Sequence, residues 1–83
     1  MVVRRDGFYW HVAEHGTFRI EFQSARGLWG VWFSTECLGE YDGPEAALLR
    51  VTQGRTTWPS AGDPSKMDLP VQLADWNFLA QTR

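Results

Sequence analysis

The sequence predicts an α+β domain: a four-stranded antiparallel meander over 8–41, one helix over 44–53 packed on a face of that sheet, and an irregular C-terminal wrap over 55–83. Apolar and polar residues alternate through the first half of the chain, and a helix-start signal with helical apolar spacing follows directly. Length supports one unit: 83 residues form a single domain, near the lower limit at which an unaided hydrophobic core holds.

Phe8-Tyr9-Trp10-His11-Val12 is the first predicted strand, and Glu14-His15-Gly16-Thr17 the turn that folds it against the second. In Phe18-Arg19-Ile20-Glu21-Phe22-Gln23 every step swaps polarity, which places Phe18, Ile20 and Phe22 on one face. Ser24-Ala25-Arg26-Gly27 reads as the next turn, and Leu28-Trp29-Gly30-Val31-Trp32-Phe33 as a central strand of aromatic and β-branched residues. A tight turn then leads into Cys37-Leu38-Gly39-Glu40-Tyr41. At Asp42-Gly43-Pro44-Glu45 the period changes: Asp42 is placed to cap a helix, Glu45 to reach back to it, and Pro44 suits the first turn. Gly54 marks the helix end. Beyond it, Pro59, Pro64 and Pro70 break up the chain, with one helical turn expected after Pro70 that returns Trp76 and Phe78 to the core.

Composition excludes several classes. With 43% hydrophobic and 22% charged residues the chain has enough apolar mass to fold. The net charge of -2 gives no general attraction to nucleic acid or anionic lipid. Residues 1–26 carry a net +1 and residues 27–83 a net -3, with Glu36, Glu40, Asp42 and Glu45 forming an acidic stretch. Cys37 is the single cysteine, so no intramolecular disulfide is expected, and no apolar run reaches the roughly 20 residues of a membrane span. The expected location is cytoplasmic, with neither membrane contact nor cofactor.

His11-Val12-Ala13-Glu14-His15 matches a metalloprotease pattern, but zinc binding by it needs a helix. On a strand the two imidazoles stand about 13 Å apart at about 3.3 Å per residue, too far to share an ion. No metal site is expected. Cys37 lacks any nucleophile signature, Gly27, Gly30, Gly39 and Gly43 lack phosphate-loop spacing, and the acidic stretch reads as a helix start plus solvated carboxylates. The expectation is therefore no enzyme.

Five Trp, five Phe and two Tyr exceed what a sheet with one helical cover buries, because the pleat sends alternate residues to the open side. If Phe8, Trp10, Phe18, Ile20 and Phe22 face the helix, then Tyr9, His11, Arg19, Glu21 and one of Trp29 or Trp32 occupy the other face. Tyr9, Arg19, Trp29 and Trp32 are the candidate partner-binding residues. The expected function is a small protein-binding accessory or inhibitory module. The alternative is a nucleic-acid binder using Arg4, Arg5, Arg19 and Arg26 beside the same rings.

Leu38-Gly39-Glu40-Tyr41-Asp42-Gly43-Pro44-Glu45-Ala46-Ala47 resembles the strand-to-helix junction of many small bacterial α+β proteins, in which a Leu-Gly-x-aromatic strand end leads into a Pro-Glu-Ala-Ala helix. It is also similar to the junction in the ethylene-response-factor type of plant DNA-binding domain, about a third of the chain taking part. That resemblance implies a three-stranded sheet entering a major groove, with Trp29 and Trp32 matching tryptophans of the middle strand. Those domains line their strands with arginines, whereas here Arg19 and Arg26 stand beside an acidic stretch.

Overall fold

The computed structural model describes residues 7–80. Strands β1 (Gly7–Ala13), β2 (Gly16–Gln23), β3 (Leu28–Phe33) and β4 (Glu36–Tyr41) form the antiparallel meander, followed by helix α1 (Pro44–Thr52) and strand β5 (Asn77–Ala80). The sheet has five strands in the order β4-β3-β2-β1-β5, one more than the sequence predicts. β5 returns to the outer edge of β1, with Trp10 opposite Asn77 and Gly7 opposite Ala80. Its sequence Asn77-Phe78-Leu79-Ala80 runs three apolar residues together, so no alternation marks it as a strand. The C-terminal wrap thus ends in the sheet, after single 3₁₀ turns at Pro64–Lys66 and Leu73–Asp75.

α1 begins differently from the predicted cap. Gly43 is the N-cap and no side chain caps the helix, so Asp42 and Glu45 do not form the reciprocal pair. Its end is as expected: Gly54 has φ +69, its N–H bonds the Val51 carbonyl, and the Arg55 N–H bonds the Arg50 carbonyl, a Schellman ending. Ala47, Leu48 and Val51 are buried and dock α1 on the sheet. At nine residues the helix is too short to persist in water, so this docking holds it.

The core lies between α1 and one face of the sheet. Phe18, Ile20, Trp29, Val31 and Phe33 come from the strands, and Leu69 and Trp76 from the C-terminal segment. Each buried side chain of this size contributes about 1.5–3 kcal/mol. Both 3₁₀ turns pack against α1, so the wrap covers the helical side of the sheet. Phe78 completes that layer with its ring 5.0 Å from Tyr9, and Trp76 stacks 5.6 Å from His11 while donating its Nε1–H to the Pro70 carbonyl at 2.8 Å.

β1 is turned over relative to the expected arrangement. Its hairpin loop is the pair Glu14 and His15, which sets Ala13 opposite Gly16, Tyr9 opposite Ile20 and His11 opposite Phe18. Opposed residues share a face, so Tyr9 and His11 join the helical side, while Phe8, Trp10 and Val12 point away from it.

Candidate functional site

The face opposite α1 draws on all five strands, by alternate residues except in β4, where a register irregularity opposite Val31 and Trp32 puts Cys37 and Glu40 on it. Two rows cross its centre. One runs Asn77, Trp10, Arg19, Trp32, Cys37; the other runs Leu79, Phe8, Glu21, Gly30, Glu40. Beyond them stand Val12, 60% exposed, and Leu28, while Leu79 is 53% exposed. The described 3₁₀ turns and α1 lie on the other side, which leaves a surface of mixed aromatic, aliphatic and charged groups.

The predicted residues divide between the faces. Arg19 and Trp32 meet on the open one, with the guanidinium carbon 5.8 Å from the ring centroid. Tyr9 and Trp29 do not. Trp29 is 1% exposed and packs against Phe22 and Tyr9 under the helix, so it is core, and Tyr9 lies half-buried beside it. Trp10 takes the place expected of Tyr9, a position that an even-length hairpin loop would have revealed, because such a loop opposes odd positions to even ones.

Charge on this surface is balanced locally. Arg19 Nη1 lies 3.6 Å from Glu21 Oε1 two residues along β2, and Arg26 Nε lies 2.8 Å from Glu40 Oε2. Gly30 is buried on this face: a Cβ there would strike the Gln23 amide nitrogen and lie 2.8 Å from Trp32 Nε1, so the Gln23 and Trp32 side chains close over it. Arg4 and Arg5, which the nucleic-acid alternative needs, lie outside the described residues.

The acidic stretch is dispersed over separate tasks. Glu36 accepts hydrogen bonds from the Ser60 N–H at 3.1 Å and hydroxyl at 2.8 Å, Glu40 pairs with Arg26, and Glu45 sits in the first turn of α1. His11-Val12-Ala13-Glu14-His15 runs from β1 into its turn, with His11 against Trp76 and His15 Nε2 4.0 Å from Glu14. Among the described residues no three of His, Cys, Asp or Glu come together in a metal-binding group. Cys37 is exposed. Burial pushes the Tyr41 hydroxyl above its ordinary pKa of 10.0, Arg50 opposing and Cys37 adding to the shift.

On the helical side an apolar groove of about 710 Å³ runs between α1 and 71–74, lined by Tyr9, Leu48, Leu49, Val71 and Leu73 with Glu45 at its rim. A polar cleft of about 360 Å³ holds Glu14, His15, Asp63, Lys66 and Asp68; the Asp63 carboxylate there accepts from Ser65 N–H and Oγ–H. No described helix is long and apolar enough to cross a membrane. No protein-family model, curated protein or solved structure matches this chain.

Proposed function

We propose that the protein is a small non-catalytic binding module that engages a protein partner through the sheet face bearing Trp10, Arg19 and Trp32. The observation that carries this reading is a sheet face that neither α1 nor the described 3₁₀ turns cover, where the half-buried Trp32 has the Arg19 guanidinium carbon 5.8 Å from its ring centroid among further apolar groups. Soluble folds bury such rings unless another surface uses them, and Trp and Arg supply the largest contact energies at protein interfaces.

The nucleic-acid reading has less support. Phosphate binding needs uncompensated cations, and among the described residues Arg19 and Arg26 at this surface each sit beside a carboxylate. On this reading the protein acts as an accessory or inhibitory protein, with the cytoplasm its expected setting.

The test uses the full chain as bait, with Trp32→Ser and Trp58→Ser compared. Trp58 is 56% exposed but lies in the segment after α1, with its indole N–H on the Gly54 carbonyl. A partner lost with Trp32→Ser and kept with Trp58→Ser supports the reading. A salt-dependent fluorescence shift on adding oligonucleotide, with no protein retained, replaces it by the alternative.

A further inference from the structure

We infer that the partner of this face is a second copy of the same chain, packed sheet on sheet about a two-fold axis that crosses the strands at the level of Ile20. This rests on the reading of the face as a contact surface and names its occupant.

The two central rows decide the axis. They flank Ile20, one row carrying Trp10, Arg19 and Trp32, the other Phe8, Glu21 and Gly30. A two-fold across the strands lays each row over the opposite row of the partner subunit. Arg19 then faces Glu21 of the partner subunit, and the reverse contact repeats it. The same operation sets Trp10 over the partner's Phe8, ring against ring, and Trp32 over the partner's Gln23 amide, which closes over the partner's Gly30. An axis along the strands instead stacks Arg19 on Arg19 and Glu21 on Glu21. Charge therefore selects between the two packings.

Area is sufficient but small. Five strands at about 4.8 Å spacing and six to eight residues at about 3.3 Å give roughly 500 Å² per copy, or about 1,000 Å² in all. That total lies at the lower end for specific association, so the pair is dynamic and forms at micromolar concentration or above. Two sheets meeting in this way complete a sandwich about 10 Å thick between their mean planes.

Sedimentation equilibrium of the full chain from about 1 to about 500 μM provides the test. The weight-average mass is expected to rise from 9.5 kDa towards twice that value. Arg19→Glu and Glu21→Arg each weaken association at least tenfold by placing like charges across the axis, and the double swap restores it. Circular dichroism verifies that each variant folds; if a swap fails to fold, Trp32→Ala takes its place and must lower the association by a similar factor. A mass of 9.5 kDa throughout, or charge swaps without effect, overturns the self-pairing. Acrylamide quenching separates the two failures: accessible Trp10 and Trp32 in a constant monomer leave the face to a different protein, whereas shielded ones remove the contact surface itself.

Discussion

Trp29 and Trp32 lie three positions apart on β3 and stand on opposite faces of the sheet, the first sealed under α1 and the second half-buried on the far side with the Arg19 guanidinium carbon 5.8 Å from its ring centroid. An odd separation on a regular strand has this consequence, whereas in β4 the irregularity opposite Val31 and Trp32 brings Cys37 and Glu40, also three apart, onto one face. Two residues of the same type therefore differ in what they contribute.

Removing the two rings should have unequal costs. Trp29→Ala leaves a large cavity and is expected to lose about 3–5 kcal/mol, enough to unfold much of a domain this small. Trp32→Ala should cost less than about 1 kcal/mol at concentrations where the chain is a monomer. Urea unfolding curves measure both, and equal losses would make the open face a core.

High pH should weaken the fold through Tyr41. Its folded-state pKa is raised, chiefly by desolvation, so the folded chain holds the phenolic proton more tightly than the unfolded chain. That contribution is complete below pH 10.0, the unfolded value, and is lost as pH climbs from there through the higher folded value. Tyr41→Phe should flatten the fall in melting temperature across this window. Ultraviolet titration of tyrosinate would show a component ionising above 10.0 that the variant lacks.

The two ends of α1 should respond in opposite directions. At Gly54 the backbone has φ +69, and a Cβ would sit 2.5 Å from Asp63 Oδ1, the acceptor for Ser65. Gly54→Ala is expected to cost about 1–3 kcal/mol from left-handed strain and displacement of that carboxylate. Gly43→Ser should stabilise by a few tenths of a kcal/mol, about 0.3, because it supplies the capping oxygen that the N-terminus lacks, in extended backbone with open space around it. Thermal melts of the pair give the two signs.

Glu36 ties the segment after α1 to the edge of β4 through Ser60, and the Thr57 N–H bonds the Leu38 carbonyl nearby. Glu36→Ala should change global stability by less than about 1 kcal/mol, since the contact is exposed. Amide exchange at Ser60 should accelerate severalfold while β2 amides keep their protection.

Local signals made much of the fold legible. Phe18, Ile20 and Phe22 announced β2 by strict alternation, and Pro44 with Gly54 bracketed α1. Where both faces of a strand carry large rings, as in Phe8-Tyr9-Trp10, hydropathy says nothing about orientation, and only the Glu14-His15 loop fixes it. β5 was hidden for a different reason: its partner β1 lies at the other end of the described chain, so Asn77–Ala80 becomes a strand through tertiary pairing. In the candidate site, the pattern of β2 alone places Arg19 on the face away from the helix and requires one of Trp29 or Trp32 to join it, whereas choosing Trp32 and setting Tyr9 on the helical side takes the register.

The edge that β5 closes has a history in time. Trp10 and Asn77 are 67 positions apart, so a ribosome adding about 5–20 residues per second makes β1 roughly 2–7 s after Tyr41 appears before its last neighbour exists. During that interval the nascent meander presents a bare ladder of amides flanked by Phe8 and Trp10, open to capture by another unfinished chain. Arrival of Asn77–Ala80 ends the exposure, which makes the final described strand a latch against misassembly as well as a part of the architecture.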